Sequence, residues 1–356
     1  MKLLALQLTD FRNVASAVVE LHSKFNVFAG DNAQGKTNLL EALYLLGTLR
    51  SFRATRTEEL IRFGQPEALV KARVERQGLA RVLEVTVRPG HRTAKVDGKV
   101  VRAAADWFGG FNAVLFAPED LGLPKGSPKS RRRFLDRAVF NANPAYLKIA
   151  QQYEKLLRSR NAVLRDGVAQ APLVETYDER LAEVGGEMVA ARTAYVSQIA
   201  DRFAAAYEEI TRSGVRATAR YVTETPDAPS ILSALRDSLR RDLARGFTTC
   251  GPHADDLELM LDERPARLFG SQGQLRAVVL ALKIAEIQHL ESVLGEPPVL
   301  MLDDVSSELD PQRNRYLFDF IRQMSCQCVI TTTDPAHILL TEDRKDFRVL
   351  NGTFSS

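Results

Sequence analysis

The sequence is poor in cysteine and has no long apolar run. Only three of its 356 residues are cysteines, Cys250, Cys326 and Cys328. An odd count in a chain of this length argues against a disulfide framework and for a reducing compartment, in which these thiols serve as packing residues. No stretch is apolar over the length of a membrane span, and the first residues lack the features of an export signal. We therefore expect a cytoplasmic protein that has no membrane partner.

Strong net charge and compositional bias are absent as well. The formal net charge is +3, and hydrophobic residues make up 45% and charged residues 26% of the chain, as is typical of a globular protein. The length exceeds one ordinary core, so one large or two modest domains are expected. An acidic polymer would have to be bound by local clusters of Lys and Arg, because the chain as a whole offers little attraction.

The stretch GDNAQGKT at residues 30–37 has the spacing of a phosphate-binding loop. Its glycines, lysine and threonine let the backbone amides of a loop surround a row of phosphates. The preceding KFNVFAG predicts a strand, and the following TNLLEALYLLGTL predicts an amphipathic helix, which is the order that this motif requires. Such a loop also occurs in many unrelated nucleotide-binding proteins, and a chance match without function is the alternative.

Hydrophobic patterns divide the rest of the chain. Residues 66–101 alternate between apolar and polar side chains, with turn signals near Gly78, Gly90 and Gly98, which predicts antiparallel hairpins beside the strand that enters the loop. Helical spacing dominates from residue 131 to about residue 245, and strand patterns then return. We therefore predict an α/β head formed by residues 1–130 and 247–356, and an inserted, mostly helical lobe formed by residues 131–246.

An acidic motif follows a buried strand near the end of the chain. Residues 299–302 are apolar, and Asp303 and Asp304 come directly after them, at the edge of a parallel sheet where ligands bind. Asp303 could hold Mg²⁺ or its water together with the Thr37 hydroxyl, and Asp304 could orient or deprotonate an attacking water. The alternative is an acidic helix cap that follows a core strand.

A polar segment stands directly before an apolar-periodic helix. It consists of Ser271, Gln272, Gly273 and Gln274. The serine hydroxyl and the free amides of the helix start, with the helix dipole behind them, suit an anion. Helix capping by Ser271 explains the serine equally well.

The order of these three motifs resembles the ATP-binding-cassette superfamily, in which the signature loop completes the ATP site of a second, head-to-tail subunit. The long separation of the motifs resembles the chromosome-maintenance and recombination ATPases, although the helical lobe is too short for their coiled-coil arms. Over the whole chain the sequence resembles the RecF family of bacterial recombination and gap-repair ATPases, in the segments TDFRN, FAPEDLGLPKGSPKSRRRFLDR, TTCGPHADDLEL and GSQGQLRAVVLALK.

The resemblance implies an ATP-binding-cassette-type head, with a mixed β-sheet and antiparallel hairpins, that uses ATP and Mg²⁺. It implies a weak ATPase in which Lys36 contacts the outer phosphates and acts in catalysis with Asp304, while Thr37 and Asp303 bind the metal. The nucleotide-binding residues would be Arg12, Gly30, Asp31, Asn32, Ala33, Gln34, Gly35, Lys36, Thr37 and Asn38.

The same resemblance implies an ATP-dependent homodimer that loosens after hydrolysis. Asp310 would sit at the subunit seam. The γ-phosphate held by one subunit would be contacted by the signature residues of the other, Ser271, Gln272, Gly273 and Gln274.

The chain departs from the superfamily pattern in ways that bear on hydrolysis. Gln272 replaces the first glycine of the signature, which should change the backbone freedom of that loop. Asp304 is one methylene shorter than the usual glutamate, so it should hold the water less well and hydrolysis should be slow. The expected switch histidine is replaced within residues 332–334. The loop that carries a glutamine in relatives corresponds to Glu119 or Asp120.

A basic cluster in KGSPKSRRRFLDR favours DNA contact, because phosphate backbones bind such clusters without reading sequence. A solvated helix start is the alternative, although that end of a helix disfavours cations. The family resemblance implies binding of duplex and gapped DNA, and cooperation with RecO and RecR in loading RecA during DNA repair. The basic candidates are Lys125, Lys129, Arg131, Arg132, Arg133 and Arg137.

Other classes of function fit only part of the sequence. A small-molecule kinase would not need a signature loop, and a GTPase should carry an N-K-x-D segment, which the sequence lacks. The ATPase subunit of a transporter would carry its motifs closer together. His253 beside Asp255 and Asp256 could mimic a metal site, but a lone histidine in such a turn is more often structural.

Overall fold

The computed structural model describes residues 1–102, 107–166 and 171–356. They group into two compact units, of which the first comprises Met1–Leu121 and Leu290–Ser356 and the second comprises Gly122–His289. The division into a head of residues 1–130 and 247–356 and a lobe of residues 131–246 stays a prediction. Within the described ranges, no helix is long and apolar enough to cross a membrane.

Strand-rich and helix-rich stretches alternate along the chain. The strands are β1 (Lys2–Phe11), β2 (Val14–Glu20), β3 (Phe25–Ala29), β4 (Ala68–Arg76), β5 (Leu79–Arg88), β6 (His91–Val96), β7 (Lys99–Val100), β8 (Ala113–Phe116), β9 (Ala217–Val222), β10 (Asp256–Leu261), β11 (Arg264–Pro265), β12 (Val299–Asp303), β13 (Cys328–Thr332), β14 (Arg344–Leu350) and β15 (Thr353–Ser355). The helices are α1 (Lys36–Thr48), α2 (Pro128–Ala142), α3 (Tyr146–Arg165), α4 (Ala171–Thr211), α5 (Ala228–Arg245), α6 (Ala266–Phe269), α7 (Gln272–Leu294), α8 (Val305–Glu308) and α9 (Pro311–Gln323). Short 3₁₀ turns cover Thr57–Leu60, Pro118–Gly122 and Pro335–His337.

One sheet of the first unit is antiparallel, with the strand order β2-β1-β4-β5-β6-β7. Its hairpins turn where predicted, and Gln77, Gly78, Asp97 and Gly98 all have positive φ, as two-residue hairpin turns require. The predicted hairpins are therefore confirmed, but their expected place beside β3 is wrong. β4 pairs with β1, whereas β3 lies in another sheet, because its apolar run suits burial on both faces.

The other sheet of the first unit has the strand order β15-β14-β3-β13-β12-β8. β14, β3, β13, β12 and β8 run parallel, and β3, β12 and β13 are almost entirely buried. The carboxyl ends of parallel strands meet at the same edge of a sheet, where ligands bind. α1 packs against strands of both sheets, and its Leu39, Leu40 and Leu43 are fully buried in their common core. The sheet and this helix therefore place the residues that follow β3, β12 and β13 side by side.

The second unit packs helices against a small antiparallel sheet of strand order β11-β10-β9. α4 contacts α2, α3, α5 and β9, which confirms a mostly helical lobe. β9 lies where helical spacing was expected, and it pairs with β10, which was expected to join the layer of the head. The alternation of apolar and polar residues in β9 is short, and it does not show that the segment pairs with a strand far away in sequence.

An ion-pair network is buried inside the second unit. Arg160 of α3 donates from Nε to Asp178 Oδ1 of α4 at 2.6 Å and from Nη1 to Asp242 Oδ2 of α5 at 2.9 Å. The same Nη1 donates to Thr248 Oγ1 at 2.8 Å. Arg160 and Asp242 are 0% exposed and Asp178 is 1% exposed, so both carboxylates are shielded from bulk solvent. One guanidinium thus joins three helices.

Replacing Arg160 with methionine should destabilise the fold strongly, because two carboxylates would stay buried without their cation. We expect the free energy of unfolding to fall by about 3 to 5 kcal/mol, measured by chemical denaturation. Burial raises the pKa of Asp178 even beside Arg160. A stranded carboxyl with a raised pKa binds its proton more tightly in the folded than in the unfolded state, so stability falls as pH rises. Part of the lost stability should therefore be regained when the pH is lowered from about pH 7 to about pH 5.

Arg180→Ala is the matched control, because Arg180 pairs with Glu183 while both side chains are more than half exposed. Its effect should stay below about 1 kcal/mol. An Arg160→Met protein as stable as this control would contradict the assigned role of the network.

Candidate nucleotide-binding site

The predicted phosphate loop connects β3 to α1 in a conformation that few sequences adopt. Ala33 has a φ of 65° and Gly35 a φ of 114°. Lys36 folds back over the loop, where its Nζ donates to Gly30 O at 2.6 Å and to Asp31 O at 2.8 Å. Burial lowers the pKa of Lys36, and the carboxylates of Asp304 and Asp303 oppose that shift. The ammonium thus lies on loop carbonyls, which a bound phosphate would replace as its partner.

A direct hydrogen bond joins this loop region to the acidic motif. Thr37 Oγ1 donates to Asp303 Oδ1 at 3.0 Å, and Thr331 Oγ1 of β13 donates to the same oxygen at 2.7 Å. Burial raises the pKa of Asp303, although the bonds from Thr331 and Thr37 and the charge of Arg53 work against the shift. The predicted metal ligands Thr37 and Asp303 are therefore within contact distance.

The residues present fit Mg²⁺ that arrives with a nucleotide. Hydroxyl and carboxylate oxygens are its preferred ligands, and in nucleotide sites one or two carboxylates hold it together with the substrate phosphates. No cluster of three or more His, Cys, Asp or Glu side chains that could hold a metal occurs in the described part of the chain. A cation at Thr37 and Asp303 would therefore need further oxygens, and phosphates can supply them.

Asp304 combines a left-handed backbone conformation with a buried side-chain oxygen. Its φ is 50°, and its backbone N–H donates to Thr331 O at 3.0 Å. Among the described residues, its buried Oδ1 has no hydrogen-bond partner. Buried carboxylate oxygens are normally satisfied, so this oxygen calls for a water, an ion or a ligand donor.

Arg12 lies against the helix that follows the loop. Its Nε and Nη2 donate to Oε2 and Oε1 of Glu41, each at 2.8 Å, and Ser51 Oγ also donates to that carboxylate. Glu41 is 0% exposed. Sequence reasoning missed Glu41, although a lone acid inside the apolar run of α1 was a signal for a buried partner. Contact between Arg12 and the nucleotide stays a prediction.

The signature residues lie in the second unit, at the start of α7. Ser271 Oγ accepts from Gln274 N at 3.2 Å, and Ser271 N donates to Gln274 Oε1 at 2.9 Å, which is a reciprocal capping box. Ser271 and Gln272 are exposed, and Gly273 is half-buried. Ser271 therefore caps α7, as one of the two interpretations of the sequence predicted. Contact with a γ-phosphate stays a prediction, and an exposed helix start is suited to it.

The remaining acidic candidates also cap turns. Asp310 accepts from Gln312 N at 3.2 Å and from Arg313 N at 3.1 Å at the start of α9. Burial would raise the pKa of Asp310, but these bonds and the Arg313 charge lower it overall. Asp120 Oδ2 accepts from Ala117 N at 3.2 Å after β8, whereas Glu119 is exposed. That one of the two replaces the glutamine of relatives stays a prediction.

The basic cluster divides into buried and exposed members. Arg131 is 3% exposed, and its Nε and Nη2 donate to Asp256 at 2.8 and 2.6 Å. The inclusion of Arg131 among the DNA candidates is therefore corrected, because its guanidinium is committed to a carboxylate inside the second unit. Arg132 is half-buried and donates to Asp255 O at 2.6 Å, and Arg137 lies near the Phe134 ring. The exposed members are Lys125, Lys129 and Arg133.

His253 is a structural residue of its turn. Its Nε2 lies 3.0 Å from Thr248 O, and its Nδ1 lies 2.7 Å from Tyr153 Oη. Because a carbonyl only accepts, Nε2 carries the proton and Nδ1 accepts from the tyrosine. Burial lowers the pKa of His253. Both nitrogens are thus engaged, which favours the structural alternative over metal binding.

Comparisons with known proteins show the family of this chain. The family model described as RecF/RecN/SMC N terminal domain matches residues 2–349. The DNA replication and repair protein RecF of Myxococcus xanthus (strain DK1622) is 45% identical over 346 residues, 94% of this chain and 91% of that protein.

Two solved structures share the fold. The recombination mediator protein RecF-ATP in the RecFOR pathway has a TM-score of 0.89 and 30% identity, covering 99% of this chain and 97% of that one. An Smc head domain bound to the C-terminal domain of ScpA, derived from Pyrococcus furiosus, has a TM-score of 0.56 and 16% identity, covering 99% of this chain and 95% of that one. The fold is thus that of the RecF and SMC head ATPases, and by sequence and structure this chain belongs to the RecF family.

Proposed function

We propose that this chain is an ATP-dependent DNA-binding protein of recombinational repair. It binds ATP with Mg²⁺, dimerises head-to-tail, binds duplex and gapped DNA, and hydrolyses ATP slowly. With RecO and RecR it helps to load RecA at single-strand gaps. The observation that carries the proposal is the 3.0 Å bond between Thr37 Oγ1 and Asp303 Oδ1, because it joins the phosphate loop to the acidic motif.

Nucleotide binding follows from the polarity of this site. Lys36 supplies a cation and the loop supplies converging amides, so the outer phosphates of ATP find charge-assisted donors. When Mg²⁺ is bound, it neutralises charge that develops on the phosphates. Thr37 and Asp303 would hold the ion. Asp304, which follows Asp303, would use its unpartnered oxygen to orient a water, and its short side chain fits slow hydrolysis.

Dimerisation assigns a role to the exposed start of α7. The first amides of a helix have no partner within the helix, and the dipole favours an anion there. Ser271 and its neighbours would place these amides against the γ-phosphate that another copy holds. ATP then stabilises the dimer, since it binds the dimeric state better than the separate chains.

DNA contact is assigned to the exposed cations Lys125, Lys129 and Arg133. Lys129 lies in the first turn of α2, which Ser127 caps. A cation in that turn interacts unfavourably with the positive end of the helix dipole, so its position there slightly destabilises the helix. Phosphates of DNA would offset that cost, and such contacts carry no base specificity.

The proposal predicts that ATP converts the protein from monomer to dimer. Light scattering of the 39.6 kDa chain with ATP and Mg²⁺ should give the mass of a dimer, whereas ADP should give the monomer. Lys36→Met should abolish ATP binding and dimerisation together. Ser271→Arg should retain ATP binding but lose the dimer, because its side chain would block the approach of the γ-phosphate. A wild-type chain that binds ATP yet stays monomeric at about micromolar concentration would contradict the dimer.

A second prediction concerns the exposed cations on and before α2. Replacing Lys125, Lys129 and Arg133 with alanine should weaken duplex binding equally for unrelated sequences, measured by fluorescence anisotropy. The slope of log K against log salt should become shallower by about 0.9 for each phosphate contact removed. The control removes the same charge from the exposed residues Lys155, Arg240 and Arg245. Equal salt slopes for wild type and the first triple variant would place DNA contact elsewhere.

A further inference from the structure

The phosphate loop is held from outside its own motif. The backbone carbonyl of Gln34 accepts from Gly352 N at 2.8 Å and from Asn13 Nδ2 at 3.1 Å. The side chain of Gln34 accepts at Oε1 from Asn351 N at 2.8 Å. One loop residue thus carries three hydrogen bonds from two distant segments. None of the donors is part of the phosphate-binding motif.

Asn13 connects the loop with the start of the helix that follows it. While its Nδ2 bonds the loop carbonyl, its Oδ1 accepts from Asn38 Nδ2 at 2.8 Å. Asn38 comes directly after Thr37, whose hydroxyl contacts Asp303. The side-chain amide of Asn13 therefore bridges the loop and the first turn of α1 with two hydrogen bonds.

Close packing accompanies these hydrogen bonds. At three glycines the neighbouring atoms leave no room for a side chain. A Cβ on Gly35 would lie 2.8 Å from Asn13 Oδ1, and one on Gly352 would lie 2.5 Å from Asn13 O. A Cβ on Gly30 would lie 2.4 Å from Val349 O. The Val349 backbone therefore packs against Gly30 at one end of the loop, and the Asn13 side chain packs against Gly35 at the other.

The turn that makes this contact belongs to the hairpin of β14 and β15. Asn351 has a φ of 48° and Gly352 a φ of 76°, as a two-residue type I′ turn requires. β14 pairs in parallel with β3, with Arg348 opposite Ala29. This register brings the turn beside the loop, because β3 enters the loop immediately after Ala29.

We propose that Asn13 and the Asn351–Gly352 turn, which we name the loop brace, hold the phosphate loop in its nucleotide-binding curvature and thereby set ATP affinity. Asn13, Asn351 and Gly352 are positioning residues, since they act through Gln34. The inference rests on the proposed function, because it concerns the affinity of that same ATP site.

The physical reason lies in the Gln34 peptide. Loop amides bind phosphate only when they converge, so the carbonyls between them must point away. The brace gives the Gln34 carbonyl two donors on the outer side of the loop. Without them, this peptide gains rotational freedom next to Gly35, because glycine has few backbone restrictions. Nucleotide binding would then have to order the loop, and affinity would fall.

The test compares Gly352→Ala with Gly98→Ala. Gly98 has a φ of +78° in a similar hairpin turn, and no atom lies within 4 Å of its added Cβ. Both variants bear the cost of alanine at positive φ. Only Gly352→Ala adds a Cβ that clashes with Asn13 O, and this clash displaces the turn whose Gly352 N–H bonds Gln34 O. Asn13→Ala provides a second brace variant that introduces no steric conflict. Each protein is titrated with ATP by calorimetry, and its melting temperature is recorded without nucleotide.

We expect Gly352→Ala and Asn13→Ala to weaken ATP binding about tenfold, while Gly98→Ala keeps the wild-type affinity. Hydrogen exchange should accelerate in residues 30–37 of the brace variants, but not in Gly98→Ala. Brace variants that bind ATP as tightly as Gly98→Ala would overturn the brace, even where their melting temperatures fall. If wild-type protein fails to bind ATP, or binds it no better than Lys36→Met, the proposed function itself fails.

Discussion

The hydrogen bond from Thr37 to Asp303 is the contact on which the candidate site depends. It joins residues 266 positions apart in sequence. Thr37 lies at the start of the helix that follows β3, and Asp303 is the last residue of β12; the carboxyl ends of these two parallel strands meet at one edge of a sheet. Asp303 is 7% exposed, so its charge must be compensated locally by hydroxyl donors or by a cation. Around this bond lie the other groups of the site: the Lys36 ammonium over the loop carbonyls and the unpartnered oxygen of Asp304.

The rest of the first unit holds the residues of that hydrogen bond in position. α1 lies between two sheets and is fixed along its length by Leu39, Leu40 and Leu43 in the core. The Arg12–Glu41 pair fixes the position of the β1–β2 turn on the same helix, and Asn13 of that turn reaches the loop. The last hairpin contacts the same loop residue, Gln34, as Asn13 does. The site is therefore the product of four segments, of which only two carry a recognisable motif.

Features encoded by local patterns could be predicted from the sequence. The phosphate loop, β3, α1, β12 and the hairpin turns each depend on residues that are neighbours in the chain, and all were predicted. Pairings between distant segments could not be predicted in this way. The burial of Arg131 depends on Asp256, that of Glu41 depends on Arg12, and β9 becomes a strand by pairing with β10. The sequence around a basic or acidic residue does not show whether an oppositely charged residue from a distant segment will pair with it in the core.

The most direct measurement is a structure of the chain with Mg²⁺ and a non-hydrolysable ATP analogue. The ion should lie about 2.0 to 2.1 Å from Thr37 Oγ1, with Asp303 in its coordination sphere directly or through a water. The γ-phosphate should also meet the start of α7 from a second copy, with Ser271 Oγ within hydrogen-bond distance. A nucleotide bound away from the Thr37–Asp303 pair, or Ser271 turned from every γ-phosphate in the crystal, would contradict the composite site.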